Sequence, residues 1–160
     1  MRSLGLDVGD KRTGVAISDP QGIFATPLTV LANKDEDALI NEILKLVLQC
    51  EAEHIVVGLP RSLNGELGKQ ANKVTAFADK LSLRVKRSNL NKVDVQLWDE
   101  RLSTKAAERL KLETGGKGNK LRFRAKRRGR SNSFSAKSEV DAIAAAFILQ
   151  GFLDSHHPEQ

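Results

Sequence analysis

Three acidic residues carry the chemistry this chain is best equipped for. Asp7 lies in LGLDVGDKRTGVAISDP, Glu100 in LWDERLST and Asp141 in SEVDAIAAAFILQGFLD. Leu4, Leu6 and Val8 alternate with Gly5 and Asp7 before Gly9 breaks the pattern, so an acid closes a strand bound for a core. A buried carboxylate costs about several kcal/mol unless something pairs with it or it protonates. Glu100 directly follows the apolar run of the last strand, and Asp141 is expected in the first turn of the final helix. In an open α/β sheet, ligands gather beyond the carboxyl ends of the strands. Asp7 and Glu100 belong at such ends, and a helix crossing the sheet adds Asp141. Three converging carboxylates repel one another unless divalent cations neutralise them. Oxygen ligands without Cys or His select Mg²⁺ or Mn²⁺. Two such ions about 4 Å apart activate water and stabilise the leaving oxygen in phosphodiester cleavage.

Each acid also has a plainer reading. Asp7 before Gly9 could open a turn. Glu100 could pair weakly with Arg101 on a solvated loop. Ser138 and Asp141 match the S-x-x-D capping box. Spacing alone leaves these alternatives open.

The elements that must position the acids follow from hydrophobic periodicity. Three short strands are expected over 3–8, 13–18 and 23–30, with links brief enough for antiparallel hairpins. Residues 35–50 are helical by period, with Leu39, Ile43, Leu46, Val47 and Cys50 on one face. A dense β-branched strand spans 54–59 and is closed by Pro60. Val74, Phe77, Ala78 and Leu81 mark a second amphipathic helix. Val93, Val95 and Leu97 mark the last strand, and STKAAERLKL a third helix capped by Ser103 or Thr104. Trp98 is expected in the core. A loop is expected over 115–138, then a final helix apolar around most of its circumference. This order implies an α/β fold with a mixed five-stranded sheet, three antiparallel strands then parallel ones, and helices on both faces. One domain is expected over 1–154, with a frayed tail at 155–160.

The chain has 160 residues, a formal net charge of +6 and a pI near 9.6. The charge is uneven. Lys117, Lys120, Arg122, Arg124, Lys126, Arg127, Arg128, Arg130 and Lys137 fall between Gly115 and Ser138 with no acid among them. Removing these nine from the net +6 leaves −3 for the rest. One segment therefore makes the protein basic, which points to a local polyanion contact. Its composition predicts a flexible loop that orders on nucleic acid; Phe123 and Phe134 could stack on bases. Cys50 is the single cysteine, which excludes an internal disulfide and a Cys-rich zinc site. The most apolar run, 142–149, falls well short of the about 20 residues a membrane span needs. The N-terminus enters a strand at once, leaving no room for a signal peptide. A cytoplasmic protein with no membrane partner is expected.

Four blocks in order, LGLDVGDKRTGVAISDP, IVVGLPRSLNGELGKQANKV, LWDERLST and VDAIAAAFILQGFLD, resemble the YqgF family. These are RNase H-like proteins described both as pre-16S rRNA nucleases and as Holliday junction resolvases. The resemblance spans nearly the whole chain. It implies an RNase H-like fold and metal-dependent endonuclease chemistry, and it places Asp7, Glu100 and Asp141 in the catalytic carboxylate set, the same acids whose oxygens are read above as holding two Mg²⁺ or Mn²⁺ ions. The 115–138 loop is longer and more basic than the family pattern, and RVKRSNLNKVDVQ is extended. In GDKRTG, Gly9 and Gly14 allow tight geometry that leaves amides free to face a phosphate, and Lys11 and Arg12 could neutralise the substrate backbone. Gly58, Arg61, Asn64 and Gln70 in the second block are candidates for phosphate or base contact. Arg101 and Ser103 adjoin Glu100 at a helix start that favours anions, and Arg127 and Arg128 stand for the basic loop.

The leading expectation is an endonuclease acting on structured nucleic acid in maturation of the 5′ end of pre-16S rRNA. Resolution of branched DNA in recombination is the alternative, as is a non-catalytic RNA-binding module in ribosome biogenesis. A nucleotide-phosphate binder of the actin, sugar-kinase and Hsp70 type would need a second domain of comparable size. Partners are precursor rRNA or branched DNA, with ribosomal or pre-ribosomal association, as a monomer or homodimer.

Overall fold

The computed structural model describes residues 1–60, 68–99 and 136–156. Five strands form one mixed sheet: β1 (Arg2–Val8), β2 (Arg12–Ser18), β3 (Ala25–Ala32), β4 (Ala52–Leu59) and β5 (Asp94–Asp99). Their spatial order is β3-β2-β1-β4-β5. β1 pairs antiparallel with β2, and β2 with β3; β1 and β4, and β4 and β5, run parallel. Helices α1 (Glu36–Cys50), α2 (Lys69–Arg87) and α3 (Ala136–His156) complete the described elements. The third helix expected near 103–112 and residues 115–135 of the expected loop lie outside the described residues.

Strand alternation sends neighbouring side chains to opposite faces, and the two faces make two cores. Leu4, Leu6, Val15, Ile55 and Val57 pack with Leu39, Ile40, Ile43 and Val47 of α1 and Val74, Phe77, Ala78 and Leu81 of α2. Ala16 and Val56 meet Ala145, Ile148, Leu149, Phe152 and Leu153 of α3 on the other. The α3 residues recur at helical spacing, and small Ala145 lets the helix lie close. Gln150 fastens α3 to the β2–β3 hairpin: its Oε1 accepts Ala25 N–H at 2.9 Å and its Nε2 donates to Ile23 O at 2.9 Å.

Element boundaries differ from expectation where side chains compete for backbone. β3 begins at Ala25 rather than 23 because Asp19 Oδ1 accepts both Ile23 N–H (2.7 Å) and Phe24 N–H (3.0 Å), drawing those residues into the turn. Asp35 caps α1, accepting from Asp37 N–H at 3.4 Å. On strand β5, which ends the described strand order, Leu97 is exposed. Trp98, on the opposite face, is half-buried and meets Phe152 edge-on at 5.7 Å. α3 begins at Ala136, ahead of the expected loop end at 138, and continues to His156. Ser138 is thus inside the helix rather than its cap, and Asp141 is the sixth helical residue rather than a first-turn one.

Candidate active site

Asp7 and Asp141 meet on the α3 face of the sheet. Leu4 and Leu6 point to α1 and α2, so Gly5 and Asp7 point to α3. Asp7 is opposite Gly14 in the β1–β2 ladder. On the other side Leu6 pairs with Val57, and the same register brings Gly58 level with Asp7. The carboxylate therefore stands between two strands that present hydrogen instead of a side chain. The space above Gly14 is taken by α3: a Cβ there would be 1.9 Å from the Asp141 carbonyl oxygen. Gly5 admits the same helix further along, where a Cβ would meet Leu149 Cβ at 2.7 Å.

Desolvation raises the Asp7 carboxyl from its ordinary 3.8 to about 6, and the negative charge of Asp141 pushes it the same way. Asp141 is balanced by Arg12, whose Nε lies 3.1 Å from Asp141 Oδ2. Both partners keep partial solvent access, so the pair is one of moderate strength.

The glycines do a different job from the one expected of them. Gly9 N–H donates to Arg12 O at 2.9 Å and is not free for a phosphate. Gly14 is held in the ladder between β1 and β3, where its role is to admit α3. Gly58 is buried in β4, paired with Trp98. Gln70 Nε2 donates to Val8 O at 3.2 Å, steadying the end of β1 from α2. Lys11 is exposed at the tip of the turn. Glu100, Arg61, Asn64, Arg101, Ser103, Arg127 and Arg128 lie outside the described residues; Glu100 follows Asp99, the last residue of β5.

Asn33 carries no functional signal in the sequence. It lies just past β3, where an Asn ahead of an acidic stretch reads as an ordinary helix-start loop. In the fold it clamps the β1–β2 turn. Its Nδ2 donates to Gly9 O at 2.7 Å, its N–H donates to Lys11 O at 2.9 Å, and its Oδ1 accepts from Thr13 Oγ1 at 2.8 Å. Nothing local reveals this, because the partners are brought together by β2–β3 pairing.

Among the described residues no three His, Cys, Asp or Glu side chains cluster as a metal site; Asp7 and Asp141 are a pair, and Glu100, expected as the third acid, lies outside the described residues. The pair fits a hard divalent cation. Its donors are all oxygen, and one carboxylate is held desolvated beside another negative charge, a strain that a dication relieves.

The chain matches the family model described as "RuvX: Holliday junction resolvase" over residues 1–155. It is 42% identical over 155 residues to a Clostridium botulinum protein named "Putative pre-16S rRNA nuclease", covering 97% of this chain and 98% of that one. A Clostridium novyi protein of the same name is 41% identical, with 97% and 99% covered. Among solved structures, Thermus thermophilus RuvC in complex with a Holliday junction substrate aligns with a TM-score of 0.59 at 15% identity, covering 98% of this chain and 96% of that one. The yeast mitochondrial Holliday junction resolvase Ydc2 aligns with a TM-score of 0.55 at 13% identity, covering 94% and 77%. At such identities these two likenesses concern the fold alone, a five-stranded mixed sheet of the RNase H-like type. The length of the family match and the identity to the clostridial proteins establish that the chain belongs to the RuvX (YqgF) family, a family of nucleases that hydrolyse phosphodiester bonds.

Proposed function

We propose that this protein is a divalent-cation-dependent endonuclease that matures the 5′ end of precursor 16S rRNA. The observation that carries the reading is the joining of Asp7 and Asp141, from opposite ends of the chain, on one face of the sheet, with Asp7 desolvated and pressed by the second charge. Asp7 and Asp141, with Glu100 completing the set, would hold Mg²⁺ or Mn²⁺. When bound, such an ion supplies positive charge against the phosphate and lowers the proton affinity of water. The chain's own groups do the rest. Lys11 and Arg12 meet the phosphate backbone from the β1–β2 turn, and Arg presents a donor fork matched to phosphate oxygens. The basic stretch 115–138 holds the nucleic acid by its charge. The RNA substrate is favoured over branched DNA by the names of relatives about 40% identical along the whole chain.

The test is a panel of end-labelled precursor rRNA, single strands, duplexes and four-way DNA junctions, with Mg²⁺ or Mn²⁺. Cleavage of the precursor at one defined position is expected. Asp7→Asn, Glu100→Gln and Asp141→Asn should each abolish it while binding persists. Turnover retained in all three variants rejects the mechanism, and cleavage confined to junctions assigns the protein to recombination instead.

A further inference from the structure

Arg12 opens β2 with its backbone tied down on several sides. Its carbonyl accepts Gly9 N–H at 2.9 Å, and it faces Ala32 in the β2–β3 register. The residue after Ala32, Asn33, bonds Gly9 O, Lys11 O and the Thr13 hydroxyl. Thr13 is fully buried, so this clamp is anchored in the core. The guanidinium thus departs from a fixed point, and its Nε reaches Asp141 Oδ2 at 3.1 Å.

We propose that Arg12 is a built-in counter-cation of the acid pair, neutralising Asp141 in the ion-free protein and giving it up when a divalent cation binds, so that the freed guanidinium turns to a substrate phosphate. The inference rests on the cation reading above. Its physical basis is direct. Two neighbouring carboxylates without a counter-charge repel, and Arg12 offsets one of them. Arginine cannot release its charge by losing a proton, so a +1 group beside an incoming +2 ion is relieved only by moving away. The exposure of both side chains, 37% for Arg12 and 29% for Asp141, leaves a path for that movement. Once released, Arg12 stands next to exposed Lys11 on the same turn, where a phosphate gains both charges.

The proposal predicts opposite signs for two bindings measured on the full chain. By calorimetry at low salt, Arg12→Gln should bind Mn²⁺ about five-fold more tightly than the parent, the advantage shrinking as salt rises. Arg12→Lys, which keeps the charge, should stay within about two-fold of the parent. The same Arg12→Gln protein should bind a labelled RNA hairpin more weakly, with a salt slope smaller by about one. In the parent, saturating Mg²⁺ should shift the Arg12 Nε–H resonance towards its position in Asp141→Asn. Unchanged or weaker Mn²⁺ binding by Arg12→Gln, or a resonance indifferent to Mg²⁺, overturns the proposal while the cation reading stands. A parent chain that binds Mn²⁺ no better than Asp7→Asn/Asp141→Asn removes the cation reading and this proposal with it.

Discussion

Gly14 and Asp141 are in backbone contact: a single methyl group on Gly14 would fall 1.9 Å from the Asp141 carbonyl oxygen. Because Gly14 is also the ladder partner of Asp7, this contact is what brings the acid of α3 to the level of the acid of β1. Gly14→Ala must therefore lift the start of α3 from the sheet. Overpacking of this kind costs about 1–3 kcal/mol or more, readable as a lowered urea midpoint, and Mn²⁺ binding should weaken in step. Gly5→Ala, which meets Leu149 Cβ at 2.7 Å and Ala145 O at 2.9 Å, should destabilise comparably while disturbing the acids less. A Gly14→Ala protein with parental stability and metal affinity contradicts this role for the glycine.

The Asp7 carboxyl, raised to about 6 from an ordinary 3.8, makes stability depend on pH in a definite direction. In this window the folded chain holds a proton that the unfolded chain has lost. The associated stability is complete below about pH 4 and disappears as pH rises through about 6; a shift of this size corresponds to roughly 2–3 kcal/mol. In the absence of divalent ions, Asp7→Asn should therefore be more stable than the parent at pH 7.5, with the difference vanishing near pH 4. Denaturation curves at the two pH values check it; an Asn variant less stable at pH 7.5 would show that Asp7 is already compensated within the protein.

Ion binding should show the same group from the other side. A cation needs the ionised carboxylate, so Mn²⁺ affinity should fall as pH drops below about 6, and binding near that pH should release protons. Calorimetry in buffers of different ionisation enthalpy counts them. Affinity flat from pH 5 to 8 would mean that Asp7 is not a ligand.

Asn33 and Thr13 form a pair whose loss should be felt together. Asn33→Ala leaves a buried hydroxyl without its acceptor, at a cost of about 1–2 kcal/mol, and Thr13→Val removes the donor. A double-mutant cycle should give a loss smaller than the sum of the two. Strict additivity would mean that the hydrogen bond carries no coupling.

The nine cations between Gly115 and Ser138 are expected to hold nucleic acid. Replacing them in bulk with Gln should weaken RNA binding and flatten the dependence of log K on log salt, by about 0.7 for each single-strand phosphate that is no longer neutralised. Fluorescence anisotropy across a salt series measures the slope, and an unaltered slope removes the segment from the interface.

Much of this protein is legible in its linear order. The alternation of Leu4 and Leu6 with Gly5 and Asp7 marks a strand with an acid at its end. The spacing of Val74, Phe77, Ala78 and Leu81 marks a helix face, because strand and helix periods are local properties of a few consecutive residues. The acids at 7 and 141 can be nominated on the same grounds. Tertiary structure alone decided their relation to other groups: which face Asp7 shares with α3, that Gly14 exists to let that helix in, that Arg12 balances Asp141, and that Asn33 braces the turn. The start of β3 was likewise decided by Asp19. Each depends on register and docking between segments far apart in the chain, where a shift of one residue exchanges the faces of a strand. Periodicity within one segment carries no information about its alignment with another.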